Sequence, residues 1–590
     1  MYSNIKSVAI VISLLKKFDI SHIVLSPGGS DIPIIHSLQQ DPYFQCYSVV
    51  DERSAAYYAM GLSQELDKPV ACVCTSGTAV CNYLPGITEA YYQNVPVVAI
   101  TADKNPYYQG QLETQKIEQT HIFDGVVKKS VNLPVVNTEV DEWLCNRLVN
   151  EALLELSHHG KGPVHINIPI VGNQNAYTCK ELPDERKISI VSYNTDNNIW
   201  EEKKKELSFY KKILIVVGQD LNFSEEDIKV MNGFFECYDC IFAVENLSNL
   251  NCKGCINTYP ISEILSGQVL ADLKPDLIIS IGNNLSAYLL KETLREHFKS
   301  LKNWLISESG EIRDTFMCLD TIFECTPIYF FEKMIENVKC TNITRSYFDS
   351  WSEISKKIRV PEFPFSNMYI AQRLAEIIPE NSIIHTAILN STRVMQYCRL
   401  PKGVKSYSNV GALGIDGCFS TFAGQAAATK GLAFLLIGDL SFFYDMNAAT
   451  IRSISKNVRI ILLNNRGGAE FHVYDHNVEQ LDKYVCAEHK NCATGYIESL
   501  GFDYYSAYNK EEFDKAIKAF GKKSEKPLFI ECFTDMHDDA KLLRKFYQET
   551  RDKFTSNGDK MIMKAKKIGR AVLSENQITV AKNLFGKIKK

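Results

Sequence analysis

Two buried strand patterns that end in polar residues constrain the fold of this chain more than any other feature. The segment LAFLLIGD ends at Asp439, the segment VRIILLNN ends at Asn465, and one helix-like segment separates them. Short apolar runs joined by a helix are typical of a parallel α/β sheet. Because the carboxyl ends of parallel strands share one edge of the sheet, we expect Asp439 and Asn465 to lie close together.

Composition restricts the class of protein. The 590 residues are 45% hydrophobic and 23% charged, as in ordinary globular proteins. The 65 Lys and Arg nearly balance the 70 Asp and Glu, which argues against a nucleic-acid-binding protein. We find neither a run near the roughly 20 apolar residues of a membrane helix nor a signal-peptide cleavage pattern, and we predict a cytoplasmic protein.

Strand and helix patterns alternate in three blocks, which predicts an α/β protein with three doubly wound parallel-sheet domains. The first and third blocks share a layout of strand, polar tip and helix. The predicted domains are residues 1–180, 211–345 and 366–540, joined by linkers at 181–210 and 346–365 and followed by a basic helical extension at 541–590.

The predicted extension differs in charge from the rest of the chain. The last 40 residues contain 11 Lys or Arg and 3 Asp or Glu, and the segment KMIMKAKKIGRAVL has apolar residues at helical spacing. This pattern is typical of an amphipathic helix, and we interpret it as a surface helix or a contact with a partner.

Most of the 18 cysteines lie in apolar segments, which favours reduced, core-packed thiols over a disulfide framework. Cys237 and Cys240, followed by Cys252 and Cys255, have the paired spacing of a zinc ribbon with a short gap. The segment IFAVE reads as a buried strand that would carry Cys240 into the core. Zinc binding therefore stays open, and a structural role is preferred.

The side chains at the Asp-Asn edge have the chemistry of a magnesium site. Asp439 supplies a carboxylate and Asn465 an amide oxygen, and Mg²⁺ prefers hard oxygen ligands together with phosphates. The backbone N–H groups of Leu440 and Ser441 begin the crossover helix and would favour a diphosphate. The alternative is that both tips are ordinary strand-end turns.

Glu52 is the candidate acid/base residue. It follows a buried strand in YSVVDERSAAYYAMGLS and begins a helix of small residues. A carboxylate there can simply compensate the helix dipole. A buried carboxylate can instead exchange a proton with a heteroaromatic nitrogen.

Seven motifs, in this order, resemble the thiamine-diphosphate enzymes: SPGGSDIP, VVDERSAAYYAMGLS, CTSGTAV, ITADKNP, GALGIDG, GDLSFFYDMNA and LLNNRGG. Within that superfamily they are most similar to the 2-succinyl-5-enolpyruvyl-6-hydroxy-3-cyclohexene-1-carboxylate synthases of menaquinone biosynthesis. The resemblance covers about residues 1 to 540. It implies thiamine diphosphate and Mg²⁺ as cofactors.

The resemblance also assigns roles. Asp439, Asn465 and the carbonyl of Gly467 would bind Mg²⁺, and Glu52 would contact the aminopyrimidine ring. Ile415 would hold the cofactor in its bent conformation. The cofactor-binding set that the resemblance implies is Gly414, Ile415, Gly438, Asp439, Leu440, Ser441, Asn465 and Gly467.

Assembly follows from the same resemblance. In the family each active site joins the pyrimidine-binding domain of one subunit to the diphosphate-binding domain of another. Residues 1–180 and 366–540 would be these two domains, and 211–345 would be the central domain. We therefore expect a homodimer or a homotetramer.

The residues that match the family's substrate site are Ser30, Lys104, Gln115, Ser391 and Arg393. Ser30 and Val410 stand where the family has arginines, and Lys104 replaces a third. A lysine expected near Ser286 and Ala287 is absent. These arginines and lysines hold substrate carboxylates, and each lost charge-assisted hydrogen bond costs about 1.5–3 kcal/mol.

Intact cofactor motifs and an altered carboxylate site lead to one functional prediction. We interpret the chain as an enzyme that decarboxylates a 2-oxo acid and transfers the resulting carbanion to an acceptor, with a changed substrate pocket. The first alternative is an authentic menaquinone-pathway synthase. The second is a non-catalytic binding subunit with the same fold.

Overall fold

The computed structural model describes residues 1–554 except for 67, 93–94, 194, 220–222, 266–267, 341–342, 412, 452–453 and 474–480. The chain divides into two compact units. The first unit comprises Met1–Trp200 and Lys302–Thr326, and the second comprises Glu201–Leu301 and the chain from Pro327 onward. Three parallel sheets with interleaved helices organise these units, which confirms the predicted α/β class.

The first sheet lies in the first unit. Its strands are β1 (His22–Leu25), β2 (Gln45–Ser48), β3 (Val70–Cys74), β4 (Val97–Asp103), β5 (Lys129–Asn132) and β6 (Val164–Pro169). Its helices are α1 (Lys6–Lys17), α2 (Ile32–Gln39), α3 (Glu52–Leu66), α4 (Thr78–Tyr92) and α5 (Glu139–Glu155). The strand order is β2-β1-β3-β4-β6-β5.

The central sheet has strands in both units. They are β7 (Ser189–Ser192), β8 (Ile213–Val217), β9 (Cys240–Val244), β10 (Cys255–Asn257), β11 (Leu277–Ile281), β12 (Asn303–Ile306) and β13 (Leu319–Glu324). The order is β10-β9-β8-β11 in the second unit and β12-β13-β7 in the first. The helices are α6 (Asn197–Leu207), α7 (Glu225–Cys237), α8 (Tyr259–Ile264), α9 (Gln268–Asp272), α10 (Tyr288–Arg295), α11 (Pro327–Ile335) and α12 (Ser346–Lys357).

The third sheet lies in the second unit. Its strands are β14 (Ile383–Thr386), β15 (Lys405–Tyr407), β16 (Ala433–Gly438), β17 (Val458–Asn464), β18 (Asp503–Ala507) and β19 (Leu528–Phe533). Its helices are α13 (Asn367–Ile377), α14 (Asn390–Met395), α15 (Cys418–Ala428), α16 (Asp439–Tyr444), α17 (Glu470–Val473), α18 (Leu481–Tyr484), α19 (Thr494–Ser499), α20 (Lys510–Ile517) and α21 (Met536–Phe554). The order is β15-β14-β16-β17-β19-β18.

The first and third sheets have the same topology. When the strands of each sheet are numbered along the chain, both follow the order 2-1-3-4-6-5. The shared layout predicted from the first and third sequence blocks is therefore confirmed as a shared strand order. The predicted site residues follow β1, β2 and β4 in the first sheet, and they lie at or after the carboxyl ends of the first four strands in the third sheet.

Both faces of the first sheet are buried at its central strands, which explains why β3 is continuously apolar. In β3, Ala71 and Val73 pack into one core cluster, while Val70, Cys72 and Cys74 pack into the cluster on the other face. Alternate residues of a strand point to opposite faces, so helices must cover both sides of the sheet. The strand patterns therefore lack the apolar-polar alternation of a half-exposed sheet.

The four cysteines considered for zinc do not form one cluster. Cys237 forms a disulfide with Cys340, a departure from the expectation of reduced thiols. Cys240 is buried in β9, as the buried-strand interpretation predicts. The Sγ atoms of Cys252 and Cys255 lie 3.3 Å apart. With Cys237 bonded to another sulfur, the zinc-ribbon arrangement is not formed.

The predicted domain boundaries stay predictions. The segment 181–210 contains β7 and α6, and 346–365 contains α12, so both predicted linkers carry regular structure. The predicted extension begins within α21, and its amphipathic segment lies outside the described residues. Among the helices that the structure describes, none combines the length and the apolar character needed to cross a bilayer.

Candidate active site

Asp439 lies at the carboxyl edge of the third sheet, next to the loop that follows β17. Gly438 and Leu463 are paired in the parallel register, so the two strands end side by side. The Asp439 Oδ2 atom accepts a hydrogen bond from the Gly467 backbone N–H at 3.0 Å. Asp439 and Asn465 are only 2% and 5% exposed. The strand patterns therefore correctly predict that the two strand ends lie side by side.

Asp539 holds Asn465 in place, and sequence reasoning missed this residue. The Asn465 Nδ2 atom donates to Asp539 Oδ2 at 3.3 Å. The same carboxylate accepts from Thr534 Oγ1 and from the Asn367 backbone N–H. Burial raises the pKa of Asp539 to about 6. Because its amide nitrogen faces Asp539, Asn465 has its side-chain oxygen to offer to a cation.

Ile415 and Ser441 connect the glycine-rich loop to the start of α16. The Ser441 Oγ atom donates to the Ile415 carbonyl at 2.5 Å. The Ile415 side chain is 38% exposed, which is unusual for a large apolar residue. An apolar side chain held open beside Asp439 suits contact with a bound organic molecule. The backbone N–H of Leu440 is bonded to Asp439 Oδ1 at 2.7 Å.

The carboxyl edge of the first sheet carries the other predicted group. Glu52 is half-buried and is the first residue of α3, separated from β2 by residues 49–51. The strand before it is not buried as predicted, because the side chains of β2 are exposed or half-buried. Ser30 is buried, with its Oγ atom 3.0 Å from Ser76 Oγ. Lys104 follows β4 and is half-buried. Gln115 is exposed and sits against Gly77, where an added Cβ would lie 3.4 Å from the Gln115 Cβ.

A buried ion pair fixes the loop that carries Lys104 and Gln115. The Lys116 Nζ atom lies 2.8 Å from Asp103 Oδ2, and both side chains are 5% exposed. Gln119 accepts from the Gly77 backbone N–H at 3.0 Å and donates to Asn167. These buried contacts attach the loop to the ends of β3, β4 and β6.

Arg393 is engaged in a buried ion pair, which the sequence did not indicate. Its guanidinium forms a bidentate contact with Glu470, with Nη2 2.7 Å from Oε1. Arg393 is 6% exposed, and Ser391 is 2% exposed. A substrate carboxylate at Arg393 would have to compete with Glu470.

The two remaining departures from the family also have structural partners. Val410 is buried, and its carbonyl accepts from Asn284 Nδ2 at 3.2 Å. Ser286 and Ala287 donate their backbone N–H groups to the buried carboxylate of Glu245. The position of the expected lysine is therefore part of a hydrogen-bonded turn at the end of β11.

Asp31 is a buried carboxyl that the sequence analysis overlooked. Its Oδ1 atom accepts from the Gly28 backbone N–H at 3.0 Å, and its Oδ2 atom has no hydrogen-bond partner among the described residues. Burial raises the pKa of Asp31 to about 7, and the charge of Glu52 contributes in the same direction. Its position directly after Ser30 was the available signal.

The Asp31→Asn variant is expected to change how stability depends on pH. The ordinary carboxyl pKa of 3.8 rises to about 7 on folding, so folding takes up a proton between these values. Stability from this group is therefore highest at low pH and falls as pH rises towards 7. Between pH 5 and 8 the free energy of unfolding of the wild type should fall by about 3 kcal/mol because of this group. The variant should not show this fall.

Denaturant unfolding of both proteins at pH 5 and pH 8 measures this difference. The variant Asp124→Asn removes an exposed carboxylate from the same unit and serves as the control. Stability profiles of Asp31→Asn and the wild type that run parallel across this range would contradict the assignment of a raised pKa to Asp31.

Comparison with known proteins defines the family. Residues 5–122 match the model of the thiamine pyrophosphate enzyme N-terminal domain, which binds the cofactor. The chain is 38% identical to 2-succinyl-5-enolpyruvyl-6-hydroxy-3-cyclohexene-1-carboxylate synthase of Bacteroides thetaiotaomicron, over 94% of this chain and 100% of the relative. Synthases of the same name from Phocaeicola vulgatus and Porphyromonas gingivalis are 37% and 30% identical, over 94% and 92% of this chain and 100% and 97% of the relatives.

The parallel-sheet fold and this similarity are those of a thiamine-diphosphate-dependent enzyme. Within that class the chain belongs to the family of 2-succinyl-5-enolpyruvyl-6-hydroxy-3-cyclohexene-1-carboxylate synthases. The cofactors are thiamine diphosphate and a divalent metal, typically Mg²⁺.

The residues of the third sheet fit these cofactors. Asp439 and Asn465 present buried oxygen donors beside Gly467, the donor type that Mg²⁺ prefers. Ile415 keeps an exposed apolar side chain next to them. That Asp439, Asn465 and Gly467 are the metal ligands stays a prediction that this arrangement supports.

Proposed function

We propose that the protein catalyses the reaction named for its relatives, the authentic menaquinone-pathway synthesis from 2-oxoglutarate and isochorismate. The observation that carries this proposal is similarity over 94% of the chain to synthases of that name. The prediction of an altered substrate pocket is not confirmed. The full-length similarity favours the alternative of an authentic synthase, and it also disfavours a non-catalytic binding subunit.

The residues of the third sheet would hold the cofactor. Asp439, Asn465 and the Gly467 carbonyl would hold Mg²⁺, and the start of α16 next to them would face the diphosphate. When bound, thiamine diphosphate supplies a nucleophilic carbon and accepts the negative charge released by decarboxylation. Ile415 provides an apolar surface for the ring system. Asp539 positions Asn465 through its 3.3 Å hydrogen bond.

Glu52 would act on the proton of the cofactor ring. Its carboxyl group exchanges a proton with a nitrogen of the aminopyrimidine. Its place at the first turn of α3, after a strand of the first sheet, supports this role. The charge of Glu52 contributes to the raised pKa of the buried Asp31, so the two carboxyl groups belong to one electrostatic environment.

Fewer cations are available for the substrate carboxylates than in the family pattern. Ser30 and Val410 carry no charge, and Arg393 is paired with Glu470. Lys104 belongs to the predicted substrate-binding residues and directly follows β4. We propose that it contacts a substrate carboxylate. Gln115 and Ser391 would add neutral hydrogen bonds.

The Lys104→Gln variant tests this assignment. Loss of one charge-assisted hydrogen bond should lower kcat/KM for the anionic substrates by about 10- to 100-fold. Steady-state kinetics with 2-oxoglutarate and isochorismate measure the effect. Lys129→Gln is the control, because Lys129 lies in β5 of the same sheet and pairs with Glu151 on the surface.

A second candidate function has one observation in its favour. The uncharged Ser30 and Val410 suit a less anionic 2-oxo acid or another acceptor. The same assay, extended to pyruvate as donor, separates the two functions. Faster turnover of pyruvate than of 2-oxoglutarate, with no product formed from isochorismate, would favour the second candidate over the first.

Assembly and location complete the proposal. We propose a homodimer or homotetramer in which the first-sheet edge of one subunit meets the third-sheet edge of another. The support is that the structure places Glu52 and Asp439 in two different compact units. A cytoplasmic location stays a prediction.

A further inference from the structure

Two adjacent histidines and a glutamate meet in the first unit, away from the carboxyl edge of the first sheet. His158 and His159 follow α5, and Glu324 is the last residue of β13. The His158 Nε2 atom lies 3.0 Å from Glu324 Oε2, and His159 Nε2 lies 2.9 Å from Glu324 Oε1. The two imidazole rings are stacked with centroids 3.8 Å apart. One potential ligand atom from each of the three residues therefore lies within 4.8 Å of the others.

His158 is oriented from its other side. Its Nδ1 atom lies 2.8 Å from Glu155 Oε1, so a carboxylate faces each ring nitrogen. A neutral imidazole has one N–H, and it cannot donate to both carboxylates. An N–H at Nδ1 bonded to Glu155 leaves the Nε2 lone pair pointing at Glu324. With the N–H at Nδ1, a cation between Nε2 and Glu324 would bond to both of these groups.

This arrangement is characteristic of histidines that bind zinc. A metal-binding histidine commonly donates its other ring N–H to a carboxylate, which fixes the tautomer and strengthens the metal bond. Zinc bonds of about 2.0–2.1 Å in a tetrahedron place donor atoms about 3.3 Å apart, close to the separations at Glu324. The two rings are stacked, so the exposed His159 ring would rotate out of the stack to aim both Nε2 atoms at one ion.

The local charge also favours a divalent cation. Glu155 and Glu324 carry two negative charges when both histidines are neutral. Lys128 is close, but its Nζ atom donates to the backbone carbonyls of His158 and Gly160. It thereby holds the histidine-bearing turn in place. Its charge also acts on Glu155, so Lys128, Glu155 and Glu324 together keep one negative charge. The side chain of His159 is 66% exposed, so water can reach the fourth position.

We propose that His158, His159 and Glu324 bind a zinc ion, with Glu155 orienting His158 and water as the fourth ligand. The site would join the turn after α5 to the end of β13, and it is independent of the thiamine diphosphate site. Zinc bound there would stabilise the first unit, because it binds the folded chain and not the separated ligands.

Zinc titration of the holoenzyme tests the proposal. The protein is first treated with a chelator and then saturated with Mg²⁺ and thiamine diphosphate, so that the magnesium site is occupied. Calorimetry should show one zinc ion more per chain for the wild type than for the double variant His158→Gln, His159→Gln. The Glu155→Gln variant should keep this zinc with about 10- to 100-fold weaker affinity.

The matched control is His121→Gln. His121 is an exposed histidine whose Nδ1 atom lies 3.0 Å from Asp124 Oδ2, and this pair contains one imidazole only. Its replacement should therefore leave zinc binding unchanged. Equal zinc stoichiometry in the wild type and the double variant would overturn the proposal.

Cobalt substitution provides a measurement that does not depend on a variant folding. A second group, His472, Asp482 and His537, lies in the other unit with Cys486 Sγ 3.4 Å from His472 Nε2. Cobalt bound at His158 should show absorption bands of nitrogen and oxygen ligands without thiolate charge transfer. Thiolate charge transfer without the bands of nitrogen and oxygen ligands would assign the ion to a cysteine site, such as Cys486 or the Cys252–Cys255 pair, and overturn the proposal.

Discussion

The Glu52→Gln variant is expected to bind thiamine diphosphate normally and to lose turnover by a factor of roughly 10²–10⁴. Glutamine keeps the size and the hydrogen-bonding oxygen of the side chain but cannot exchange a proton with the aminopyrimidine ring. The cofactor contacts proposed on the third sheet are unchanged by this substitution. Binding and proton transfer should therefore separate in one variant.

Hydrogen–deuterium exchange at C2 of the bound cofactor reports the step that depends on Glu52. The neighbouring variant Asp51→Asn removes an exposed carboxylate at the same helix start and is the control. Exchange at the wild-type rate in Glu52→Gln would leave Glu52 with no role beyond the start of α3.

The Asp439→Ala variant is expected to lose Mg²⁺-dependent binding of thiamine diphosphate. Asp439 offers the carboxylate of the predicted metal site, and it also bonds the Gly467 N–H that shapes the loop after β17. Removal of one hard oxygen ligand and of this hydrogen bond should weaken cofactor binding by at least about 100-fold. The loss of activity should be equally large.

Calorimetric titration of the cofactor with and without Mg²⁺ measures this effect. Asp503→Asn is the control, because Asp503 begins β18 at the opposite end of the same sheet and pairs with Lys526 on the surface. Similar cofactor affinity for Asp439→Ala and the wild type would remove Asp439 from the metal site.

The sequence predicted the sheets and their polar edges because both depend on local patterns. The apolar run before Asp439 and the run before Asn465 each form a buried strand, and parallel pairing places their ends together. The same reasoning placed Glu52 at the start of a helix that follows a strand. These features need no knowledge of residues distant in sequence.

The partners of the site residues could not be predicted, because they come from distant parts of the chain. Asp539 contacts Asn465 across 74 positions, and Glu470 contacts Arg393 across 77. No spacing pattern links such pairs. Asp31 stands directly after the predicted residue Ser30, but its burial could not be predicted, since a carboxylate beside glycine and serine usually indicates an exposed turn.

The order of the strands has a consequence for how the protein is made. In the first sheet β5 pairs with β6, which is synthesised later, and in the third sheet β18 likewise pairs with β19. The fifth strand of the first sheet and that of the third sheet therefore have no strand to pair with until the ribosome has completed the sixth. A nascent chain that stops before Leu528 leaves β17 and β18 without the strand that joins them. Each sheet consequently closes as one late event, when its last strand inserts between two that already exist.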